Sequence, residues 1–144
     1  MKALLVYPFY PETFWSFRYA LKFLNKKATH PPLGLLTVAS LLPSDWELKL
    51  IDLNVQPLNT EMIEWADFIF ISAMSVQRDS AEKIITLSKK FNKKIIAGGP
   101  LFTAFWQDFV NKVDHLILNE AEITLPLFLR DLNEGNPKKI YQTK

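Results

Sequence analysis

The chain alternates short, continuously apolar runs with longer segments of helical character, and this alternation limits the folds open to it more than any other feature. Continuous rather than alternating hydrophobicity is typical of strands that are covered on both faces, as in a parallel sheet. We therefore predict five strands: Ala3–Tyr7, Leu48–Leu53, Phe68–Ser72, Lys94–Ala97 and Leu116–Leu118.

Helical signals lie between these runs, in Gly34–Leu42, Thr60–Trp65, Asp79–Phe91, Phe102–Val110 and Ile123–Asn133. Thr60 is the expected N-cap of the second helix, and Gly135 is expected to end the last one. Pro126 falls in the first turn of that last helix, where proline is tolerated. Strand–helix alternation of this kind predicts a flavodoxin-like (Rossmann-like) three-layer α/β/α fold with a five-stranded parallel sheet in the order 2-1-3-4-5.

Composition excludes several classes of function. The 144 residues carry a net charge of +2 with both signs interspersed, so nothing indicates a nucleic-acid partner. There is no cysteine, which excludes disulfides, thiolate metal sites and cysteine nucleophiles and suits the cytoplasm. The apolar run at the N-terminus is too short for a signal peptide, and no stretch is long enough to span a membrane.

One segment exceeds what the alternating pattern needs. Thr13–Lys27, "TFWSFRYALKFLNKK", is aromatic-rich and too long for an ordinary loop between a strand and a helix. It belongs to an expected insertion at residues 13–32 and is interpreted as a lid, a partner surface or additional core.

The ends of the predicted strands exclude the common nucleotide sites. In such sheets ligands bind at the carboxyl ends of the strands. No glycine precedes Gly34, so the dinucleotide fingerprint is missing, and there is no P-loop motif. Pro8 and Ser72 stand where a phosphoacceptor receiver needs acids. The phosphate loop of flavodoxins, rich in Ser, Thr and Gly, is absent too.

What remains is a site with small residues and neutral hydrogen-bonding groups. Gly98 and Gly99 in "IIAGGPLFT" let a flat group touch the backbone, although a tight turn would also explain them. Ser75 and Gln77 offer neutral hydrogen bonds. This pattern favours a large, amide-decorated, uncharged ligand. We expect the Ser72–Gln77 and Gly98–Leu101 loops to lie side by side at one edge of the sheet.

At this point the sequence resembles the cobalamin-binding domain that precedes radical SAM enzymes. "LIDLN", "ISAM", "IIAGGP" and "NEAE" followed by "TLPLFL" occur in that family's order and spacing. Pro31–Pro43, "PPLGLLTVASLLP", is similar to its first-helix signature. "FWSFRYALKF", "GGPLFT" and "LNEAE" resemble the subgroup that includes hopanoid methylases. The resemblance covers essentially the whole chain.

The resemblance implies cobalamin as the cofactor and a set of contacts at the strand ends: Tyr7, Pro8, Asp52, Asn54, Ser72, Ala73, Met74, Ser75, Val76, Gln77, Gly98, Gly99, Pro100, Leu101, Asn119, Glu120, Ala121 and Glu122. Other interpretations stay open for some of them. Ser72 and Ser75 can also be interpreted as satisfied core hydroxyls, and Asp52 as a residue that caps the next loop. Glu120 and Glu122 resemble a paired-carboxylate site, but acids are favoured at a helix start anyway.

The chain departs from the wider family in two motifs. "YPFYPETF" after the first strand lacks the D-x-H-x-x-G motif whose histidine ligates cobalt from below, and "NEAE" replaces G-E-G-E. Neither His30 nor His115 follows the first strand, so the chain is expected to supply no metal ligand. We therefore expect base-off, His-off cobalamin, its lower face toward water or an apolar side chain of Tyr7–Tyr10. A Gly99→Val substitution is expected to weaken binding and leave folding nearly intact; the alternative is a turn residue that the substitution destabilises.

The resemblance also implies a longer enzyme. Residues 1–135 would form the cobalamin-binding domain, and residues 136–144 a linker to a radical SAM domain carrying S-adenosylmethionine and a 4Fe-4S cluster. The fragment would have no catalytic centre of its own. It would hold methylcobalamin, which donates its methyl group to an acceptor such as a polycyclic lipid. Two alternatives stay open: a stand-alone corrinoid carrier and a degenerate module that docks partners without a ligand.

Overall fold

A six-stranded, entirely parallel sheet forms the centre of the protein. The computed structural model describes residues 1–12 and 31–143. The strand order is β2-β1-β3-β4-β5-β6. The strands are β1 Lys2–Tyr7, β2 Glu47–Asp52, β3 Phe68–Ser72, β4 Lys94–Gly98, β5 His115–Ile117 and β6 Ile140–Tyr141. The predicted order of the first five strands is confirmed, but the predicted number is wrong by one.

The sixth strand lies in the segment 136–144, where a linker was expected. Ile140 and Tyr141 pair in parallel with Leu116 and Ile117 of β5. The Tyr141 side chain is buried, and its hydroxyl donates to the Asp131 carboxylate over 3.0 Å. Two residues carry no periodic signal, so this strand is specified by tertiary contacts that the sequence pattern does not display. The domain boundary itself stays a prediction.

Six α-helices are assigned in the described ranges: α1 Leu33–Leu41, α2 Thr60–Trp65, α3 Arg78–Lys90, α4 Pro100–Ala104, α5 Trp106–Phe109 and α6 Ala121–Asn133, with a 3₁₀ turn at Ser75–Gln77. The single helix predicted over Phe102–Val110 is wrong, because the chain breaks at Phe105 into α4 and α5. Asn59 rather than Thr60 caps α2, accepting from the Met62 amide. Because α6 begins at Ala121, Pro126 falls in its second turn.

Both faces of the sheet are buried, which explains the continuous apolar runs. One face packs Leu4, Ile69 and Ile95 against α2, α3, α4 and α5. The other face packs Leu5 and Phe70 against α1 and α6. Successive strand residues alternate between these two cores, so a strand in the middle layer needs apolar side chains throughout. The three-layer α/β/α architecture is thereby confirmed.

The expected insertion or lid at residues 13–32, and His30 with it, lies outside the described residues except for Pro31 and Pro32. In the part of the chain that the structure describes, no helix is long and apolar enough to cross a membrane.

Candidate functional site

A cavity of about 220 Å³ opens at the carboxyl ends of β3, β4 and β5. Helices α1 and α6 both begin at this edge of the sheet and form its side walls. Its lining consists of Gly34, Leu35, Thr37, Val38, Phe70, Ile71, Ser72, Ile96, Gly98, Gly99, Pro100, Ile117, Asn119, Glu120, Ala121, Glu122 and Leu125. Eight of these were predicted from the sequence: Ser72, Gly98, Gly99, Pro100, Asn119, Glu120, Ala121 and Glu122.

The two adjacent glycines have different structural causes. A Cβ on Gly98 would stand 2.7 Å from the Ile117 carbonyl oxygen, so only glycine lets β4 lie this close to β5. Gly99 has φ +87° and ψ −178°, a backbone conformation that is essentially restricted to glycine. Both glycines also line the cavity. The expectation that Gly99→Val leaves folding nearly intact is therefore wrong, because the turn itself requires glycine.

The loops after β3 and β4 lie side by side, as predicted. Ser72 pairs with Gly98 in the sheet register, and the Leu101 amide donates to the Ala73 carbonyl over 2.9 Å. Ala73 and Leu101 are both buried beneath the loops, at 1% exposure. These two residues therefore support the site from within the core and do not line the cavity.

The Ser72 hydroxyl is the polar group placed most directly between the walls. Its oxygen lies 2.6 Å from the position of a Cβ on Gly99 and 3.5 Å from that of a Cβ on Gly34. Within the described residues, no group hydrogen-bonds this hydroxyl. Among the described residues it therefore has no partner that would make it a satisfied core hydroxyl.

Asn119 holds the turn after β5 in a left-handed conformation, with φ +63°. Its backbone amide donates to the Thr103 hydroxyl over 3.1 Å. Its side-chain amide donates to the carbonyl and hydroxyl oxygens of Thr143, each over 3.0 Å. Beyond it, Glu120 and Glu122 are exposed at the mouth of the cavity, where α6 begins.

A second group of predicted residues binds the loop after β1 rather than the cavity. The Pro8 carbonyl accepts from the side-chain amides of Asn54, over 3.2 Å, and Gln77. Asn54 also donates to the Asp52 carboxylate over 2.7 Å, and its own carbonyl accepts from the Tyr10 amide over 2.9 Å. These bonds fix the β1 loop against the loops after β2 and β3. The Asp52 carboxylate also accepts from the Asn54 backbone amide over 2.8 Å, so the interpretation of Asp52 as a loop cap is confirmed.

Tyr7 and Tyr10 lie at the same edge. Their hydroxyls are 2.9 Å apart, and their rings meet edge to face with centroids 5.9 Å apart. Burial raises the pKa of the Tyr7 phenol, and the Tyr10 hydroxyl beside it raises that pKa further. Tyr7 is therefore a neutral hydrogen-bonding group at ordinary pH, not a phenolate.

Exposed apolar side chains surround the strand ends on the β1 and β3 side. Met74 and Val76 project from the loop after β3, which also carries Ser75, and are 43% and 59% exposed. Phe9 after β1 and Val55 after β2 are 45% and 44% exposed. We call these four residues, Phe9, Val55, Met74 and Val76, the outer rim. A flat, partly apolar group can lie on such a surface while its edges stay in water.

His115 is distant from these groups. It begins β5, four residues before Asn119, and a rise of roughly 3.3 Å per residue separates the two by about 13 Å. Its Nδ1 lies 2.7 Å from the Lys138 carbonyl oxygen, and its ring packs against Phe128. Burial lowers the pKa of His115. His115 therefore lies away from the cavity, and it is the first residue of β5, whereas the sequence had placed it just before that strand.

The apolar half of the cavity was not predicted from the sequence. Phe70 and Ile96 stand two residues before the strand ends at Ser72 and Gly98, on the same face of the sheet. The period of two along a strand would have identified them. Leu35, Val38 and Leu125 come from helices whose contact with this edge depends on tertiary packing, which no local pattern reveals.

The comparisons with known proteins identify the family of this chain. Residues 23–129 match the family described as the B12 binding domain, and the chain belongs to this family. It is 43% identical over its whole length to an uncharacterized methyltransferase, sll1242, of a Synechocystis strain, and 30% identical over 83% of its length to the hopanoid C-2 methylase of Rhodopseudomonas palustris. It spans about a quarter of these relatives, 27% and 23% of their lengths.

One solved structure supports the fold alone. The N-terminal domain of the hypothetical protein TM0182 of Thermotoga maritima is similar with a TM-score of 0.51 and 22% identity. The match covers 79% of this chain and 90% of that one.

Proposed function

We propose that this domain binds cobalamin base-off and His-off, and that it is the methyl-carrier module of a B12-dependent radical SAM methyltransferase. The cavity between α1, α6 and the strand ends carries this proposal. Its volume of about 220 Å³ is below the 300–1,000 Å³ typical of sites that enclose a whole ligand. It therefore fits one part of a cobalamin, the nucleotide tail, and leaves the corrin ring outside.

The chemistry of the lining agrees with that assignment. The deeper walls are apolar, which suits a flat aromatic base, and the Ser72 hydroxyl offers a hydrogen bond to the tail. The ring would lie on the outer rim, whose side chains are apolar and exposed. Backbone groups of the Ser72–Gln77 loop and the hydroxyls of Tyr7 and Tyr10 would meet the ring's amide side chains.

The surroundings of the rim support the His-off mode. The β1 loop presents Pro8, Phe9 and Tyr10, none of which is an imidazole. His115 is bound to the Lys138 carbonyl at the start of β5. If the tail occupies the cavity, its base is withdrawn from cobalt, and the lower face meets water or an apolar side chain of the β1 loop.

The carrier role rests on the relatives. One relative is called a methylase and the other a methyltransferase, and both are about four times as long as this chain. A bound cobalamin would supply a methyl group on cobalt. Residues 136–144 would then lead toward a radical SAM domain that holds S-adenosylmethionine and a 4Fe-4S cluster, with a polycyclic lipid such as a hopanoid as the acceptor class.

Titration with hydroxocobalamin tests binding. The Thr37→Phe variant fills the cavity from α1, and Leu36→Phe places the same ring on the next residue of that helix, which is 47% exposed and outside the lining. We expect a visible-region shift to the base-off spectrum in the wild-type chain and in Leu36→Phe, and a loss of at least tenfold in affinity in Thr37→Phe. Equal affinity in all three proteins would refute the cavity as the tail site. Absence of binding would favour the partner-docking module.

Electron paramagnetic resonance of the Co(II) form tests the lower ligand. We expect no nitrogen superhyperfine splitting from either the base or a histidine. Splitting that disappears in His30→Ala would contradict the His-off mode, but it would not contradict the proposal that the domain binds cobalamin. For the carrier role, the decisive observation is a C-x-x-x-C-x-x-C motif after Lys144 in the gene, followed by methyl transfer in the full-length protein. A gene that stops near Lys144 would favour the stand-alone carrier.

A further inference from the structure

The cavity has two layers with different chemistry. Ser72, Gly98 and Ile117 pair in register across β3, β4 and β5 and form its outer layer. Phe70 and Ile96 pair two residues deeper and form the inner layer. Inner and outer layers are therefore roughly 6–7 Å apart along the strands.

The walls around the inner layer are apolar. Leu35 and Leu125 are each 1% exposed and pack with Phe70 and Ile96 in one continuous core. Val38 packs against the same core from α1. A base that reaches this depth therefore meets hydrocarbon on most of its surface.

Few polar side chains in the described lining could compensate a polar base. The Asn119 amide already donates to Thr143, and Glu120 and Glu122 are exposed at the mouth. This leaves two hydroxyls, those of Ser72 in the outer layer and Thr37 on α1. A base with several hydrogen-bonding atoms at its far edge would leave most of them unpaired.

We propose that the inner layer selects the base of the tail and favours a benzimidazole over a purine. This inference rests on the proposed function, because it requires the tail to occupy the cavity. Dimethylbenzimidazole ends in two methyl groups, which the apolar walls accommodate. Adenine ends in an exocyclic amine and pyrimidine-ring nitrogens, which lose water on burial without regaining partners.

The size of the preference follows from unpaired polar groups. Leaving one or two of them buried reduces affinity roughly 10- to 100-fold. We therefore expect cobalamin to bind this chain roughly 10- to 100-fold more tightly than the cobamide that carries adenine.

The test titrates the chain with cobalamin, with the adenine cobamide and with cobinamide, which has no nucleotide. The free energy of releasing each base from cobalt is measured by acid titration of the free cofactor. The binding free energies are corrected for it before they are compared. Val38→Thr adds one hydroxyl to the wall with little change in shape and is expected to narrow the preference severalfold. Leu36→Thr, outside the lining, is expected to leave the ratio unchanged.

The outcomes separate this inference from the proposed function. A ratio within twofold after correction would refute base selection, while tight cobalamin binding would still support the function. Equal affinity for cobinamide and cobalamin would show that the tail lies outside the cavity, which also refutes the inference. Failure to bind any of the three corrinoids would overturn both. Thermal melting of Val38→Thr checks whether its fold is retained. The ratio of the two affinities in the wild-type chain decides whether the cavity selects the base even without that variant.

Discussion

Replacing Gly99 with alanine is the sharpest test of how the turn after β4 shapes the cavity. The backbone conformation, φ +87° and ψ −178°, costs a residue with a Cβ on the order of 1–3 kcal/mol. That Cβ would also stand 2.6 Å from the Ser72 oxygen and 3.3 Å from the amide nitrogen and carbonyl oxygen of Ala73. The Ser72 side chain has no hydrogen-bond partner among the described residues and can rotate away, so most of the destabilisation comes from backbone strain.

This cost converts to a measurable change in melting temperature. Unfolding entropy of about 2.1 cal/mol/K per residue gives roughly 0.3 kcal/mol/K for a chain of 144 residues. A loss of 1–3 kcal/mol is therefore expected to lower the melting temperature by roughly 3–10 °C. Thermal unfolding followed by circular dichroism measures it, and urea unfolding gives the free energy independently.

Two further variants isolate the cause. Gly135→Ala places a Cβ at another positive φ, +78°, with nothing within 4 Å, and so reports the cost of a positive φ in the absence of a close contact. Ser72→Ala removes the oxygen that the new Cβ meets, and we expect Gly99→Ala to cost nearly the same in that background, with a coupling below about 0.5 kcal/mol. A Gly99→Ala protein that melts within about 1 °C of wild type would refute the reasoning and restore the simple ligand-wall explanation.

Three other predictions concern the supports of the site. Tyr141→Phe removes the hydroxyl that donates to Asp131, which should lower the free energy of unfolding in urea by about 1–3 kcal/mol; an unchanged value would show that β6 does not depend on this bond. Glycine at position 119 tolerates φ +63° and alanine does not, so the free energy of unfolding in urea should be about 1–2 kcal/mol lower for Asn119→Ala than for Asn119→Gly. Equal stability of the two variants would contradict the left-handed turn. Burial lowers the pKa of His115 in the folded protein, so as the pH drops this side chain is protonated more readily in the unfolded chain than in the folded one. The free energy of unfolding should therefore fall as the pH drops through about 6.5. His115→Gln should reduce the dependence of the melting temperature on pH in this range. If that dependence is unaltered, another group causes it.

Much of the fold was predictable because a buried parallel sheet leaves a strong imprint on sequence. Phe68–Ser72 was predicted with its observed bounds, since a strand covered on both faces is apolar throughout and ends where small polar residues begin. Thr60–Trp65 was likewise predicted with its observed bounds. β6 was missed because two residues cannot show a period, and the hydrogen bond from the Tyr141 hydroxyl to Asp131 is a tertiary contact that no local pattern reveals.

The site was predictable only where it coincides with strand ends. Gly98 was found because parallel strands bring their carboxyl ends to one edge, and Asn119 was implied by the family resemblance of "NEAE". Val38 could not be found in the same way, because its place in the wall depends on how α1 packs across the sheet. Gln77 was assigned to the ligand because its amide is neutral and lies near the strand ends, whereas the structure binds that amide to the Pro8 carbonyl.

The direction of β6 has a mechanical consequence. Because this strand runs parallel to β5, Gln142 and Thr143 emerge at the edge where the cavity opens, and Thr143 is tied to Asn119 in the cavity wall. In any longer chain, a load applied beyond Thr143 would be transmitted to that wall through two hydrogen bonds. Movement of a segment that follows Thr143 would thus pull on the turn after β5, and a tightly filled cavity would resist that pull.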